Sequence, residues 1–275
     1  MTQLIGGYDH RVHAGNAGDV WKHFLLMEAA DWLLKGSSRL IYAESHAGRP
    51  HYLLKAPGEW EEGIGRIWHL LPSLQSFVYF RILSELNPHQ PQSSEERLYP
   101  GSVRQIHELA WRRGAELQAE IWDNHPDVAA SWQNFLSPES LPPIRLRPGP
   151  RISFHFSDGF SGLLSILRPS SDSSPRLLFI DPPYVQAQDV QMAERLMQKA
   201  RKAGWTVLWW YMTDETTAPA AMDGLEIDFA EAGLYGGRWK GAGVAVAGSE
   251  SSQLSGLFQH LQQRSEELIR MLKWH

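Results

Sequence analysis

The chain has 275 residues, 43% of them hydrophobic and 21% charged, with a formal net charge of −5 and no cysteine. The missing cysteines exclude disulfides, a thiolate nucleophile and cysteine-ligated zinc or iron–sulfur centres. The acidic balance argues against a protein that coats nucleic acid through a broadly basic surface, and the absence of a long apolar span or a leader-like start leaves a globular, cytoplasmic protein as the expectation.

In chain order, apolar residues at Val20, Trp21, Phe24, Leu25, Met27, Ala30, Leu33 and Leu34 predict a helix over residues 16–35, stopped near Gly36. Residues 39–44 (RLIYAE) read as a short buried strand running into the turn Ser45-His46-Ala47-Gly48. The long stretch 53–98 has helical spacing around Ile64–Leu71 and Phe77–Leu86 and ends in a polar Asn/Pro/Gln/Ser loop, which predicts a small helical insertion. A regular alternation follows: strand 115–123, helix 126–136, strand 152–158, helix 160–167, strand 177–180, helix 189–203 and the apolar strand 206–212. A helix over 254–272 closes the chain. Strands alternating with helices imply an α/β architecture, a mostly parallel sheet covered on both faces, with ligands at the carboxyl ends of the strands. The expected division is a main domain over 1–52 and 99–275 and an insertion subdomain over 53–98.

The most specific punctuation is Asp181-Pro182-Pro183-Tyr184, placed where the apolar run Leu177–Ile180 stops. Proline fixes φ and has no backbone N–H, so such a turn is stiff and offers mainly carbonyl acceptors. An exocyclic amine needs acceptors. If Asp181 and the Pro182 carbonyl take its two hydrogens, the nitrogen lone pair is left free to meet a methyl donor, while the Tyr184 ring stacks on a base held outside its helix. This is the chemistry of amino-group methyltransferases, with Asp181, Pro182 and Tyr184 as the acting residues. A strand ending in a Pro-rich turn is the plain structural alternative.

An adenosine-type cofactor in such a sheet needs a close-approach turn after the first strand, an acid after the second and a polar group after the third. His46-Ala47-Gly48, Asp123 and Asp158-Gly159 stand at those three places. Taken singly, each acid is equally a helix cap or a turn former, and Ser102 an ordinary helix N-cap. His10, His13 and His23 lack carboxylates at matching spacing, so no metal site is expected.

Together with Tyr8, the run His13-Ala14-Gly15-Asn16 with Asp19-Val20 and Lys22-His23, then His46-Ala47-Gly48, Tyr99-Pro100-Gly101-Ser102, His125-Pro126, Asp158-Gly159-Phe160 and Asp181–Tyr184, the sequence resembles the ribosomal RNA large-subunit methyltransferase J family over residues 8–184. That family methylates an adenine amine in 23S rRNA. The resemblance implies a class I, Rossmann-like methyltransferase with a seven-stranded sheet and S-adenosyl-L-methionine as methyl donor. It also implies cofactor contacts at Lys22, His23, His46, Gly48, Ser102, Asp123, Asp158 and Gly159, and a substrate contact at Tyr8. The expected substrate is 23S rRNA free of ribosomal proteins, met by a monomer away from any membrane. Because the chain is acidic, RNA should meet local cations, with Arg11 and Lys22 as one candidate patch and Arg104 and Arg112 as a second. Two departures stand out. Glu44 opens the first turn where the family has Asp, with Arg49-Pro50 crowding the place of a second glycine, and Asp123 stands where the family has Glu. The competing readings are a DNA adenine N6-methyltransferase and a nucleic-acid-binding homologue that has lost methyl transfer.

Overall fold

The computed structural model describes residues 13–88, 97–137, 151–186, 188–214, 224–237, 239–248 and 252–273. Tyr8 and Arg11 lie outside them. The first helix, α1 (Ala17–Leu34), is capped by Asn16, whose side chain accepts from the Asp19 N–H at 2.9 Å. Nearly every residue of α1 is buried, polar ones included. A helix enclosed all round must satisfy its polar groups internally or against neighbours, and this requirement shapes the site below.

Strand β1 (Arg39–Glu44) follows, and the chain then leaves through β2 (His51–Leu54) and returns through β3 (Arg97–Pro100), which pair antiparallel as a separate two-stranded ribbon with Leu53 opposite Leu98. Between them lie the short helix α2 (Ile64–Ile67), two 3₁₀ turns and α3 (Val78–Leu86). Their apolar residues, including Trp60, Ile64, Phe77 and Phe80, join one core with α1 and the inner face of β1. The chain continues through α4 (Ser102–Arg113), β4 (Glu116–Asp123), α5 (Pro126–Phe135), β5 (Arg151–Phe156), α6 (Gly159–Ile166), β6 (Arg176–Ile180), α7 (Asp189–Lys202), β7 (Thr206–Met212), β8 (Gly224–Asp228), β9 (Gly241–Ala247) and α8 (Ser252–Lys273).

The seven-stranded sheet has the order β5-β4-β1-β6-β7-β9-β8. All pairings from β5 to β7 are parallel, and β9 runs antiparallel to both of its neighbours. The expected α/β, Rossmann-like, mostly parallel sheet is therefore present. Its strand order reverses between β1 and β6. Loops leaving those two strands diverge to opposite sides and open a crevice at their carboxyl ends, and the last residues there are Glu44 and Ile180, directly before Asp181. No helix among the described residues is long and apolar enough to cross a membrane.

Candidate active site

Asp181 leaves β6 at the switch point and meets α1. Its Oδ2 lies 2.6 Å from Lys22 Nζ, which also contacts Asp19 Oδ1 at 2.8 Å. Asp19 in turn accepts the Gly15 N–H through Oδ2 at 2.8 Å. The N-terminal motif thus has a physical reading: Asn16 starts the helix, Asp19 and Lys22 fall one turn apart on one face, and that face delivers a buried ammonium to Asp181. Lys22 is therefore not a solvent-facing phosphate contact, which corrects that expectation. His13 and Asn16 reach the insertion instead, through Glu59 at 2.7 and 3.1 Å.

Glu44, which the sequence offered only as the start of a turn, is the second centre of the site. It is 1% exposed and accepts from Tyr42 Oη at 2.6 Å and Ser102 Oγ at 2.7 Å. Ser102 is thus the first residue of α4 and not its cap; Gly101 is the N-cap. Burial pushes the Glu44 carboxyl up from the usual 4.5 to about 8, with Asp181 adding to the rise and the two hydrogen bonds and Lys22 opposing it. The native carboxyl then keeps a proton that the unfolded chain gives up above about 4.5. The stability this confers is complete below that value and is lost as pH rises through 8. At 1.36 kcal/mol per pKa unit, the swing is on the order of 5 kcal/mol. Glu44→Gln should flatten it, so chemical denaturation at pH 5.5 and 8.5 should show a smaller pH dependence in the variant. An equal pH dependence in the two proteins would refute a buried neutral carboxyl.

The turn after β1 is held from several sides. The Gly48 N–H donates to Asp123 Oδ2 at 3.1 Å, the Ala47 N–H to the Trp122 carbonyl at 2.8 Å, and Trp132 Nε1 to the Gly48 carbonyl at 2.8 Å. Gly48 has φ +57°, a conformation that favours glycine. Asp123 also accepts the His125 N–H at 2.8 Å. Asp158 caps α6 by accepting from the Ser161 N–H at 2.7 Å, and the next residue, Gly159, is pressed so closely on the Ser45 carbonyl that a Cβ there would lie 1.8 Å from its oxygen. His46 packs edge-on to Phe160, and burial lowers its pKa to about 4, against the opposing charge of Asp158, so it is a neutral imidazole at pH 7. The Arg49 side chain is drawn away onto α5, to Ser131 and Asp127, each at 3.2 Å. The crowding expected of it therefore does not come from its guanidinium.

The structure accordingly brings Lys22, His46, Gly48, Ser102, Asp123, Asp158, Gly159, Asp181 and Pro182 to one end of the sheet. His23 is set deeper, with Nδ1 2.9 Å from Tyr99 Oη, which in turn lies 3.0 Å from Tyr79 Oη. Tyr184 has φ +52°, a region costly for a bulky side chain and commonest at functional sites. Its hydroxyl accepts from Trp209 Nε1 at 2.7 Å and donates to the Trp210 carbonyl. These bonds give the hydroxyl a structural role beside the ring's expected contact with the base. Tyr184→Phe leaves a buried indole N–H and a carbonyl unpaired and should cost roughly 1–3 kcal/mol in denaturant unfolding; a cost under about 0.5 kcal/mol would contradict it. Trp210 is a wall the sequence reading missed. Lys22 Nζ sits 5.1 Å from its ring centre, Tyr184 tilts against it at 5.8 Å, and its own Nε1 is buried without a partner.

Arg104 and Arg112, offered as an RNA patch, are neutralised by the protein's own acids, Arg104 lying by Glu108 and Arg112 by Glu85 and Glu108; Arg113 lies by Asp31 and Arg151 by Glu116. A cleft of about 880 Å³ opens among Ser37, Pro175, Thr206 and Gly248, at the opposite end of the sheet from the D-P-P-Y turn. The switch-point geometry, not cleft size, locates the chemistry.

The profile of the family described as "Ribosomal RNA large subunit methyltransferase D, RlmJ" matches residues 37–232. The chain belongs to this family. Two curated proteins, each named ribosomal RNA large subunit methyltransferase J, are similar to it. The Haemophilus influenzae protein is 27% identical over 74% of this chain and 69% of its own length, and the Escherichia coli protein 31% identical over 67% of this chain and 61% of its own. A crystallised Legionella pneumophila protein, 22% identical, superposes with a TM-score of 0.66 over 94% of both chains and shares the fold. The family match begins at residue 37 and so leaves out α1, which supplies Lys22 to Asp181.

Proposed function

We propose that the chain transfers a methyl group from S-adenosyl-L-methionine to the N6 amine of an adenine in 23S rRNA, as a monomer in the cytoplasm acting on RNA free of ribosomal proteins. The observation that carries this reading is the Asp181–Lys22–Asp19 array at the sheet's switch point, beside the buried carboxyl of Glu44. The residues present fit the cofactor: Gly48 makes the left-handed turn after β1, Gly159 packs backbone to backbone on Ser45 and so draws the turns after β1 and β5 together, and Glu44 is an acid positioned to ionise against an arriving cation. Asp123 and Asp158 would hold its nucleoside end, and Gly48, Ser102 and Glu44 its amino-acid end. When bound, that group supplies an electrophilic methyl on a sulfonium.

The chain's own part is orientation and charge. Asp181 and the Pro182 carbonyl accept the two amine hydrogens, and Asp181 favours the positive charge that develops on nitrogen until its proton is lost. Lys22 fixes the Asp181 carboxylate, and Tyr184, with its hydroxyl anchored to β7, sets the ring against the base. Trp210 walls the site with its ring, its Nε1 a buried donor without a hydrogen-bond partner. His46, neutral, packs over the cofactor side, and His23 supports α1 through Tyr99. Residues 53–98 form the insertion subdomain, with Tyr8 and Arg11 contributing to RNA contact. The test is transfer of labelled methyl to deproteinised 23S rRNA and to duplex DNA, with nucleoside analysis of the product. N6-methyladenosine in RNA supports the reading. Transfer to DNA alone, or tight cofactor binding without transfer, overturns it.

A further inference from the structure

Arg97 differs from the arginines of the Arg104/Arg112 patch. It stands at the outer end of the β2/β3 ribbon, opposite Leu54. Its guanidinium carbon lies 4.7 Å from the Trp60 ring centre and 5.4 Å from that of Trp68. Among the described residues it has no carboxylate within ion-pair distance, and its Nε is enclosed without a hydrogen-bond partner. The two indoles are nearly buried, at 9% exposure each. Trp60 is locked by its Nε1 donating to the Lys55 carbonyl at 3.0 Å, and it packs against Gly15, where a Cβ would meet Trp60 Cβ at 3.1 Å. Gly15 is the residue whose N–H donates to Asp19, the partner of Lys22. The aromatic clamp is therefore built onto the same N-terminal turn that delivers the ammonium to Asp181.

A guanidinium held against two indoles by cation–π attraction turns its N–H groups, not its face, to a ligand. That edge matches two oxygens of a phosphate. Arg104 and Arg112, by contrast, are neutralised by the protein's own carboxylates, and an unneutralised, half-buried cation in an acidic chain is a strong local attractor for a polyanion. We propose that Arg97, clamped by Trp60 and Trp68, docks a phosphodiester of the RNA strand beside the target nucleotide. This rests on RNA being the substrate.

The probe is a labelled 23S rRNA fragment, titrated over a salt series with wild type, Arg97→Met, which keeps an apolar side chain packed on the indoles, and Arg97→Lys, which keeps the charge. The Met variant should bind on the order of tenfold more weakly and lose roughly 0.7–0.9 from the log–log salt slope, with unaltered S-adenosyl-L-methionine affinity and a raised KM for RNA. The Lys variant should retain the wild-type slope. A Met variant with the wild-type slope overturns the proposal. So does a Lys variant that loses slope as the Met variant does, since packing on the indoles would then be responsible. If wild type binds RNA with the expected slope difference yet transfers no methyl, the proposed reaction falls while the phosphate contact stands. If wild type shows no salt-dependent RNA affinity, both fall.

Discussion

Asp181→Ala is expected to slow methyl transfer to RNA by about 100-fold or more while S-adenosyl-L-methionine still binds, the loss typical of removing one preorganised contact to developing charge. The side chain is 14% exposed, held by Lys22 at 2.6 Å, and follows two residues after Phe179, whose register opposite Glu44 fixes it at the crevice. Removing it deletes an acceptor at the amine and leaves Lys22 to Asp19, so a fold control is required. Asp181→Asn supplies one: it keeps the volume and one acceptor oxygen but not the charge, and should retain most of the stability yet still fall well below wild-type rate. Single-turnover rates with saturating cofactor, alongside calorimetric cofactor affinity, separate chemistry from binding. Activity of the Ala variant within about threefold of wild type would remove Asp181 from the mechanism.

What the sequence made legible follows the range of the interactions involved. Strands β1 and β7 coincide with their predicted limits, because each is a short apolar run buried on both faces and bounded by polar or glycine punctuation. Strands β2 and β3 were not predicted. Each has four residues, with β2 alternating exposed and buried, and each exists only because the other lies across the insertion. Strand β8 likewise depends on pairing with β9 at the sheet edge. The individual site residues were legible as strand-end punctuation, since Asp123, Asp158 and Asp181 each follow a recognisable strand. Their partnerships were not. That Lys22 would meet Asp181, that Ser102 would donate to Glu44, or that Trp210 would cover Lys22 depends on α1 crossing the sheet's switch point, a tertiary fact with no local signature. The charge of the Arg104/Arg112 patch was misread in part for the same reason, since Arg112 meets Glu85 only through packing of α4 against α3, while the i,i+4 pairs of both arginines with Glu108 were a local signal left unused. Alternation along β7 was another unused signal, since it sets Trp209 and Trp210 on opposite faces, and only Trp210 toward α1.

Lys22→Met should have the largest effect on the protein as a whole. The ammonium bridges Asp19, whose side chain is 3% exposed, and Asp181, and its removal leaves two carboxylates near one another with little solvent to compensate. Breaking a buried ion pair from one side costs roughly 3–5 kcal/mol, more than the pair itself contributes, because the stranded charge keeps its desolvation penalty. Methyl transfer should be lost with it, since Asp181 is no longer held and the cation–π contact to Trp210 is gone. The two consequences can be separated. In the triple variant Lys22→Met, Asp19→Asn, Asp181→Asn the bridged charges are all neutral, so urea denaturation should show most of the lost stability restored while transfer stays absent. A single Lys22→Met variant that loses less than about 1 kcal/mol would mean that solvent reaches the array and screens it, and the buried ionic link between α1 and the D-P-P-Y turn would have to be abandoned.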